Sequence, residues 1–330
     1  MHINPKIQSL TSYLSGILLC RIFYDMGKQS SLPFKVSELG DIHEITIEAK
    51  PRKDWEQWIL LTSDRHWDNP KSDRRLQTKH LQLAKERKAL IIDNGDLLCL
   101  MQGKYDPRGS KSSIRPEHNV DHYLDAVIDD AANYFAPYGE NFAFLVVGNH
   151  EASVSKRCET NVSQRFADAL KLKCPGSPIH VGGIAGFIRL NFSMPNTQSY
   201  LYTIDYHHGY GGGGPVTKGV IQANRRAVYS EADICIQGHT HEAWQFPIQR
   251  RKVTQKGKIT HPIQWHLQIP SYKRHFAGGK PNWENLKGFP PKPVGCLWLR
   301  FFYHRERKRD NFTSRMINFE RQHDLVEFGA

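Results

Sequence analysis

Five strand-length segments of this chain each end in a short cluster of polar residues. The segments are five to nine residues long and apolar, which is typical of strands buried in a sheet. Ligands bind at the carboxyl ends of strands in open α/β sheets, so we expect these polar side chains to meet at one edge. The clusters are Asp64-Arg65-His66, Asn94-Gly95-Asp96, Gly148-Asn149-His150-Glu151, His207-His208-Gly209 and Gln237-Gly238-His239-Thr240-His241.

The order of the predicted elements favours an α/β fold. Apolar strands at residues 55–63, 89–93 and 142–147 alternate with helices at residues 72–88 and 121–135. That alternation is the pattern of a parallel sheet covered by helices. In the second half of the chain several strands follow one another with few helices between them, which predicts a second sheet. We therefore expect a layered α/β sandwich.

Composition excludes some classes of protein. With 330 residues, 39% of them hydrophobic and 24% charged, the chain can bury a large core and is not of the disordered type. Its six cysteines form no C-x-x-C pair, which excludes a zinc ribbon and favours buried thiols in a reducing compartment. The formal charge of +12 is compatible with a DNA or RNA partner, or simply with a solvated basic surface.

The N-terminal region lacks the features of a membrane or export segment. Its most apolar stretch, residues 14–24, is too short to span a bilayer and contains Arg21. No basic start or small-residue cleavage site indicates a signal peptide. We expect residues 1–40 to form a helical extension and residues 41–330 to form a single domain with basic C-terminal strands. We also expect a cytoplasmic protein with no membrane partner.

The polar clusters combine carboxylate, amide and imidazole groups, which indicates a site for divalent ions such as Mn, Fe, Zn or Ni. In extended backbone, D-x-H and H-x-H place both side chains on one side, so each pair could hold one ion. Each motif is weak alone. Asp41-Ile42-His43 is a second D-x-H match, and we set it aside because turn-like residues precede it.

Taken together, the five clusters resemble the calcineurin-like metallophosphoesterase family over residues 58–241. The glycine-rich stretch after His208 also resembles phage-type stand-alone members. The resemblance implies a four-layer α-β-β-α sandwich with two mixed sheets. It also implies a centre of two divalent metal ions, with manganese favoured over iron, zinc or nickel, and a phosphoester substrate.

The resemblance also implies a role for each residue of the centre. The implied ligands are Asp64, His66 and His241 for the first ion, Asn149, His208 and His239 for the second, and Asp96 as the bridge between them. His150 would be a catalytic residue over the substrate phosphate. A register shift of one residue would give the role of His208 to His207. Glu151 would orient His150 or a metal-bound histidine, or else lie on the surface.

The function implied is phosphoester hydrolysis by in-line attack of a metal-bridging hydroxide on phosphorus. The basic charge favours a phosphodiesterase or nuclease. A phosphatase acting on small phosphate esters or nucleotides is the alternative. A non-catalytic scaffold that retains the fold is a hypothesis of another class, and the presence of every expected ligand and of His150 argues against it. Protein partners are not indicated.

Overall fold

Two mixed β-sheets form the centre of the molecule. The computed structural model describes residues 32–101, 114–195, 199–212, 216–275, 288, 290–307 and 313–326. The seven-stranded sheet has the order β1 (Phe34–Leu39), β2 (Ile42–Glu48), β7 (Ala185–Ser193), β8 (Tyr200–His207), β9 (Ile234–Gln237), β13 (Ile263–Gln268) and β10 (Trp244–Gln249). The six-stranded sheet has the order β15 (Thr313–Leu325), β14 (Gly295–Arg307), β3 (Glu56–Thr62), β4 (Leu90–Asp93), β5 (Phe142–Leu145) and β6 (His180–Val181). A separate ribbon pairs β11 (Lys252–Val253) with β12 (Ile259–Thr260).

Parallel pairing sets the direction of the strands that lead to the polar clusters. Strands β3, β4, β5 and β6 are parallel neighbours in the six-stranded sheet. Strands β8, β9 and β13 are parallel neighbours in the seven-stranded sheet. The carboxyl ends of each group therefore lie at one edge of its sheet, as the sequence predicted.

Helices cover the outer face of each sheet. Three helices pack on the six-stranded sheet: α1 (Arg74–Glu86), α2 (Tyr123–Phe135) and α4 (Val162–Lys173). A short helix, α3 (Asn149–Cys158), follows β5 directly, and α5 (Val220–Tyr229) packs on the seven-stranded sheet through an ion pair between Arg226 and Asp205. Short 3₁₀ turns occupy Pro116–His118 and Ala136–Asn141. The predicted four-layer α-β-β-α sandwich is confirmed.

Two apolar cores hold these layers together. Between the sheets, Ile45, Ile59 and Phe192 are fully buried. Beneath the helices, Leu81 and Phe166 are fully buried against the six-stranded sheet. Burial of each such side chain contributes about 1.5–3 kcal/mol, so apolar packing fixes how the two sheets face each other.

The N-terminal boundary differs from the expectation. Residues 34–39 belong to the predicted helical extension, yet they form edge strand β1, paired antiparallel with β2. Phe34 packs into the core between the sheets and Val36 packs against it, partly buried, while the other four residues of the strand are exposed. Residues 1–31 lie outside the described residues, and the rest of the division into extension and domain stays a prediction. No helix among the described residues is long and apolar enough to cross a membrane.

Candidate metal centre

The structure brings all the predicted site residues together at the edge where the two sheets meet. Strand β3 leads to Asp64 and His66, β4 to Asp96, and β5 to Asn149 and His150 at the start of α3. From the other sheet, β8 leads to His208, and β9 leads to His239 and His241. His66 and His241, which are 175 positions apart in sequence, are thus in contact.

The first cluster consists of Asp64, His66 and His241, whose ligand atoms lie within 4.8 Å of one another. Asp64 Oδ1 is 3.1 Å from His241 Nε2 and 3.9 Å from His66 Nε2. The two imidazole Nε2 atoms are 3.3 Å apart. Asp64 Oδ1 is buried and accepts no hydrogen bond. A buried acceptor without a donor is costly, and a shared cation would satisfy it.

The second cluster consists of Asp96, His208 and His239, again within 4.8 Å, with Asn149 beside them. His208 Nε2 is 3.3 Å from Asp96 Oδ2 and 3.1 Å from Asn149 Oδ1, and His239 Nδ1 is 2.7 Å from Asn149 Oδ1. His208 Nδ1 lies 2.8 Å from the carbonyl of Asn94, which holds the ring proton there. In the neutral ring, Nε2 then presents a lone pair to the oxygens.

The chemistry of this donor set fits divalent metal ions. Lone pairs of imidazole, carboxylate and amide groups converge in each cluster, and they repel one another unless a cation lies between them. Exchanging the amide oxygen and nitrogen of Asn149 would satisfy the hydrogen bonds without a cation, whereas Oδ1 facing the imidazoles suits a bound ion. The described residues therefore include two neighbouring groups that could each hold a metal ion.

The backbone at these residues is strained. Positive φ angles occur at Asp64 (50°), His66 (45°), Asp96 (52°), His239 (66°) and His241 (57°). This left-handed region is uncommon for residues other than glycine, and such strain is concentrated at functional sites. The expected alternation of side chains in extended backbone is therefore wrong: left-handed turns orient the D-x-H and H-x-H pairs.

Two glycines allow the loops of the site to approach closely. A Cβ atom on Gly148 would lie 2.0 Å from Asp96 Oδ1, and one on Gly238 would lie 2.0 Å from Ser63 Oγ. Neither contact is sterically possible. The glycines that precede Asn149 and His239 are thus required by packing, not only by turn conformation.

His150 lies beside both clusters. Its backbone N–H donates to Asp96 Oδ1 at 2.9 Å, and its ring meets the ring of His66 edge-on, with centroids 5.0 Å apart. Its Nδ1 contacts the carbonyl of Cys99, and its Nε2 is 3.6 Å from Asp96 Oδ2. The ring is held at one nitrogen and faces the centre with the other.

Comparison with known families decides the identity of this centre. The sequence profile of the calcineurin-like phosphoesterases matches residues 35–243, more than half of the chain. The chain belongs to the calcineurin-like phosphoesterase family. It is a metallophosphoesterase, and its family implies metal-dependent hydrolysis of a phosphoester substrate with divalent metals. No curated protein sequence matches the chain significantly.

Solved structures give weaker likenesses to this metallophosphoesterase. A predicted phosphoesterase from Streptococcus pneumoniae shares 16% identity at a TM-score of 0.28, over 80% of this chain and 99% of that one. Chaetomium thermophilum Vps29 shares 8% sequence identity at a TM-score of 0.32, and the match covers 82% of this chain and 98% of that one. Plasmodium GAP50 shares 11% sequence identity at a TM-score of 0.40, and the match covers 79% of this chain and 88% of that one. These scores are too low to carry an argument, so the family match alone supports the assignment.

Glu151 of the metallophosphoesterase has a position that neither sequence expectation anticipated. It is buried, and its carboxylate accepts from the backbone N–H groups of Gly148 (3.0 Å), Asp96 (3.2 Å) and Leu98 (3.0 Å). Burial and the charge of Asp96 raise the pKa of Glu151 well above its usual value. Glu151 therefore ties the loop after β4 to the start of α3, and so positions Asp96 relative to Asn149.

The structure places His208, and not His207, beside Asp96. The His207 ring points away, and its Nδ1 accepts from the backbone N–H of Gly209 at 2.8 Å. Burial, with a smaller effect of Arg226, lowers the pKa of His207 to about 4. Of the two histidines that the sequence left open, His208 is therefore the one whose side chain joins the cluster.

Sequence reasoning missed two partners of the predicted ligands. Ser63 Oγ donates to Asp64 Oδ2 at 2.6 Å, and His275 Nε2 lies 2.6 Å from His241 Nδ1. An imidazole or hydroxyl in this position orients a ligand and sets which ring nitrogen is free. Ser63 adjoins the first polar cluster and could have been suspected. His275 follows no predicted strand end, so no pattern in the sequence indicated it.

Proposed function

We propose that this metallophosphoesterase hydrolyses phosphodiesters, nucleic acid among them, at the centre described above. The observation that carries the proposal is the convergence of two acceptor-rich clusters with His150 between the carboxyl ends of both sheets. The proposed metal ligands are Asp64, His66, Asp96, Asn149, His208, His239 and His241. When bound, two divalent ions polarise the phosphoryl oxygens and make water a nucleophile near neutral pH, which suits in-line hydrolysis.

Each sheet contributes to both proposed ion sites. Asp64, His66 and His241 are suited to the first ion, and Asn149, His208 and His239 to the second. Asp96 would serve both sites, because a carboxylate can bind two cations at once. Manganese is the proposed physiological metal, with iron, zinc and nickel as the alternatives to compare in reconstitution.

His150 is proposed as the proton donor to the leaving oxygen. The Cys99 carbonyl engages Nδ1, so the proton that can be exchanged is on Nε2, beside Asp96. General acid catalysis of this kind contributes about 10²–10⁴-fold to a rate. His150 is 13% exposed at its side chain, which is enough for contact with a substrate at the surface of the centre.

A comparison of His150→Ala with the wild type tests this role. With manganese present, hydrolysis of an aryl phosphodiester is expected to fall about 10²–10⁴-fold while metal content stays the same. His261→Ala, at an exposed histidine, is the matched control and should keep the wild-type rate. Equal rates for His150→Ala and the wild type would reject the proton-donor role. A metal-loaded wild type that cleaves no phosphoester would favour a scaffold.

A panel of substrates tests the choice of phosphodiester. It compares single-stranded DNA, double-stranded DNA, RNA, cyclic nucleotides, and aryl monoesters with aryl diesters. The +12 charge supports a nucleic-acid substrate, because basic residues attract the phosphate backbone. Binding through such contacts should weaken steeply as the salt concentration rises. Activity confined to monoesters or free nucleotides, or nucleic-acid binding that does not change with salt, would favour a small-molecule phosphatase.

A further inference from the structure

A second group of metal-binding side chains lies on strands that contribute nothing to the metal centre. Glu38 on β1, His43 on β2 and His180 on β6 have their carboxylate and imidazole ligand atoms within 4.8 Å of one another. His43 is the histidine of the second D-x-H triplet, Asp41-Ile42-His43, which follows no predicted buried strand. The triplet is therefore no part of the dinuclear centre, but its histidine has ligand-type neighbours of its own.

Strand pairing explains why these three residues meet. Glu38 and His43 are directly opposite each other in the antiparallel pair of β1 and β2, so their side chains lie on the same face. His180 is on β6, the edge strand of the other sheet. The rings of His43 and His180 are 6.0 Å apart between centroids and nearly perpendicular, at 83°. The group thus bridges the two sheets.

The imidazole of His43 has an unsatisfied nitrogen. Its Nδ1 is buried and has no hydrogen-bond partner, while the ring packs edge-on against Phe144 at 4.7 Å. Burial lowers the pKa of His43, and burial with the nearby charge of Lys171 lowers that of His180. A neutral imidazole offers the lone pair of one ring nitrogen to a metal ion, and the buried Nδ1 of His43 has no other partner among the described residues.

We propose that Glu38, His43 and His180 bind a zinc ion that links the β1–β2 hairpin to β6. Two neutral imidazoles and one carboxylate form a common zinc ligand set, in which solvent completes the coordination. The exposed position of Glu38 leaves an entry path for the ion, and the apolar ring of Phe144 packs against the ring of His43. The site does not depend on the proposed hydrolytic function.

Zinc content of the full-length protein tests the proposal. The chain is stripped with a chelator, equilibrated with zinc and desalted, and zinc per chain is measured by elemental analysis. Wild type is expected to retain one equivalent more than either Glu38→Gln or His180→Gln. His261→Gln, at an exposed histidine, is the matched control and should retain the wild-type content.

Three further measurements separate this site from the dinuclear centre. The difference of one equivalent should persist when Glu38→Gln is compared with its parent in an Asp96→Asn background. Phosphoesterase activity of Glu38→Gln should equal that of the wild type. Zinc should also raise the melting temperature of the Asp96→Asn parent by more than that of its Glu38→Gln derivative. Equal zinc content in wild type and Glu38→Gln would overturn the proposal, since Glu38 is exposed and its replacement should not disturb folding.

Discussion

The two sheets make different chemical contributions to the metal centre. The six-stranded sheet supplies both carboxylates and the amide, from the ends of β3, β4 and β5, together with the imidazoles of His66 and His150. The seven-stranded sheet supplies imidazoles only, from the ends of β8 and β9. Each cluster of proposed ligands takes residues from both sheets. Neither sheet alone could therefore hold an ion in the way that the pair can.

The difference has an electrostatic consequence across the gap between the sheets. Burial alone would raise the pKa of Asp64, but His241 and, less strongly, His208 lower it below its usual value. Both histidines come from the opposite sheet. The Asp64 carboxylate of one sheet is thus kept ionised by its contacts with imidazoles of the other sheet.

Asp96→Asn removes one of the two carboxylates that the six-stranded sheet contributes, and it should have the largest effect on activity. The side chain keeps its shape but loses the charge proposed to serve both ions. We expect hydrolysis to fall about 10⁴-fold, equivalent to about 5 kcal/mol of transition-state stabilisation, and metal content to fall with it. Elemental analysis and initial rates measure both, with Asp121→Asn at an exposed position as the control. Undiminished metal loading would refute the bridge.

Phe192→Ala should weaken the contact between the sheets themselves. Phe192 on β7 is fully buried and packs on Phe301 of β14, with ring centroids 4.8 Å apart. We expect the free energy of unfolding to fall by about 4 kcal/mol, because a large cavity is left between the sheets. Phe187→Ala, on the same strand but 40% exposed, should change it by about 0.5 kcal/mol or less. Urea unfolding measures both, and similar losses would contradict this account of the inter-sheet core.

His207→Gln should have the smallest effect on activity. It tests which histidine at the end of β8 the seven-stranded sheet contributes to the metal centre. The ring of His207 points away from the centre, so we expect less than about a threefold change in activity and unchanged metal content. His208→Gln, one residue along, should lose metal and most activity. A larger loss from His207→Gln than from His208→Gln would show that the ligand register at the end of β8 has been misassigned.

Much of the fold followed from local patterns. The helix predicted at residues 121–135 is observed at Tyr123–Phe135, and the strand predicted at residues 55–63 is observed at Glu56–Thr62. These elements are long or strongly apolar, so their periodicity reports the face that each buries. Strand β1 was missed because only Phe34 and Val36 of this strand pack against the core, and their polar neighbours resemble a turn in sequence.

The details of the site were less accessible to sequence reasoning. The left-handed backbone at Asp64 and His241 has only a weak residue-type signal, because aspartate and histidine enter this region more often than most residues but still seldom do so. The burial of Glu151 depends on three backbone N–H groups that come from two separate loops. Such features are set by contacts between distant segments, which local patterns do not encode.

The amino-acid order was enough to indicate which side chains end the buried strands and that their chemistry suits divalent cations. Without the family resemblance it could not indicate which of them lie in one cluster, because that depends on how the sheets face each other. The energy for this arrangement comes from apolar packing of residues such as Ile45 and Phe192, far from the ligands in both sequence and chemistry. That packing brings His66 within 3.3 Å of His241, across 175 positions of the chain.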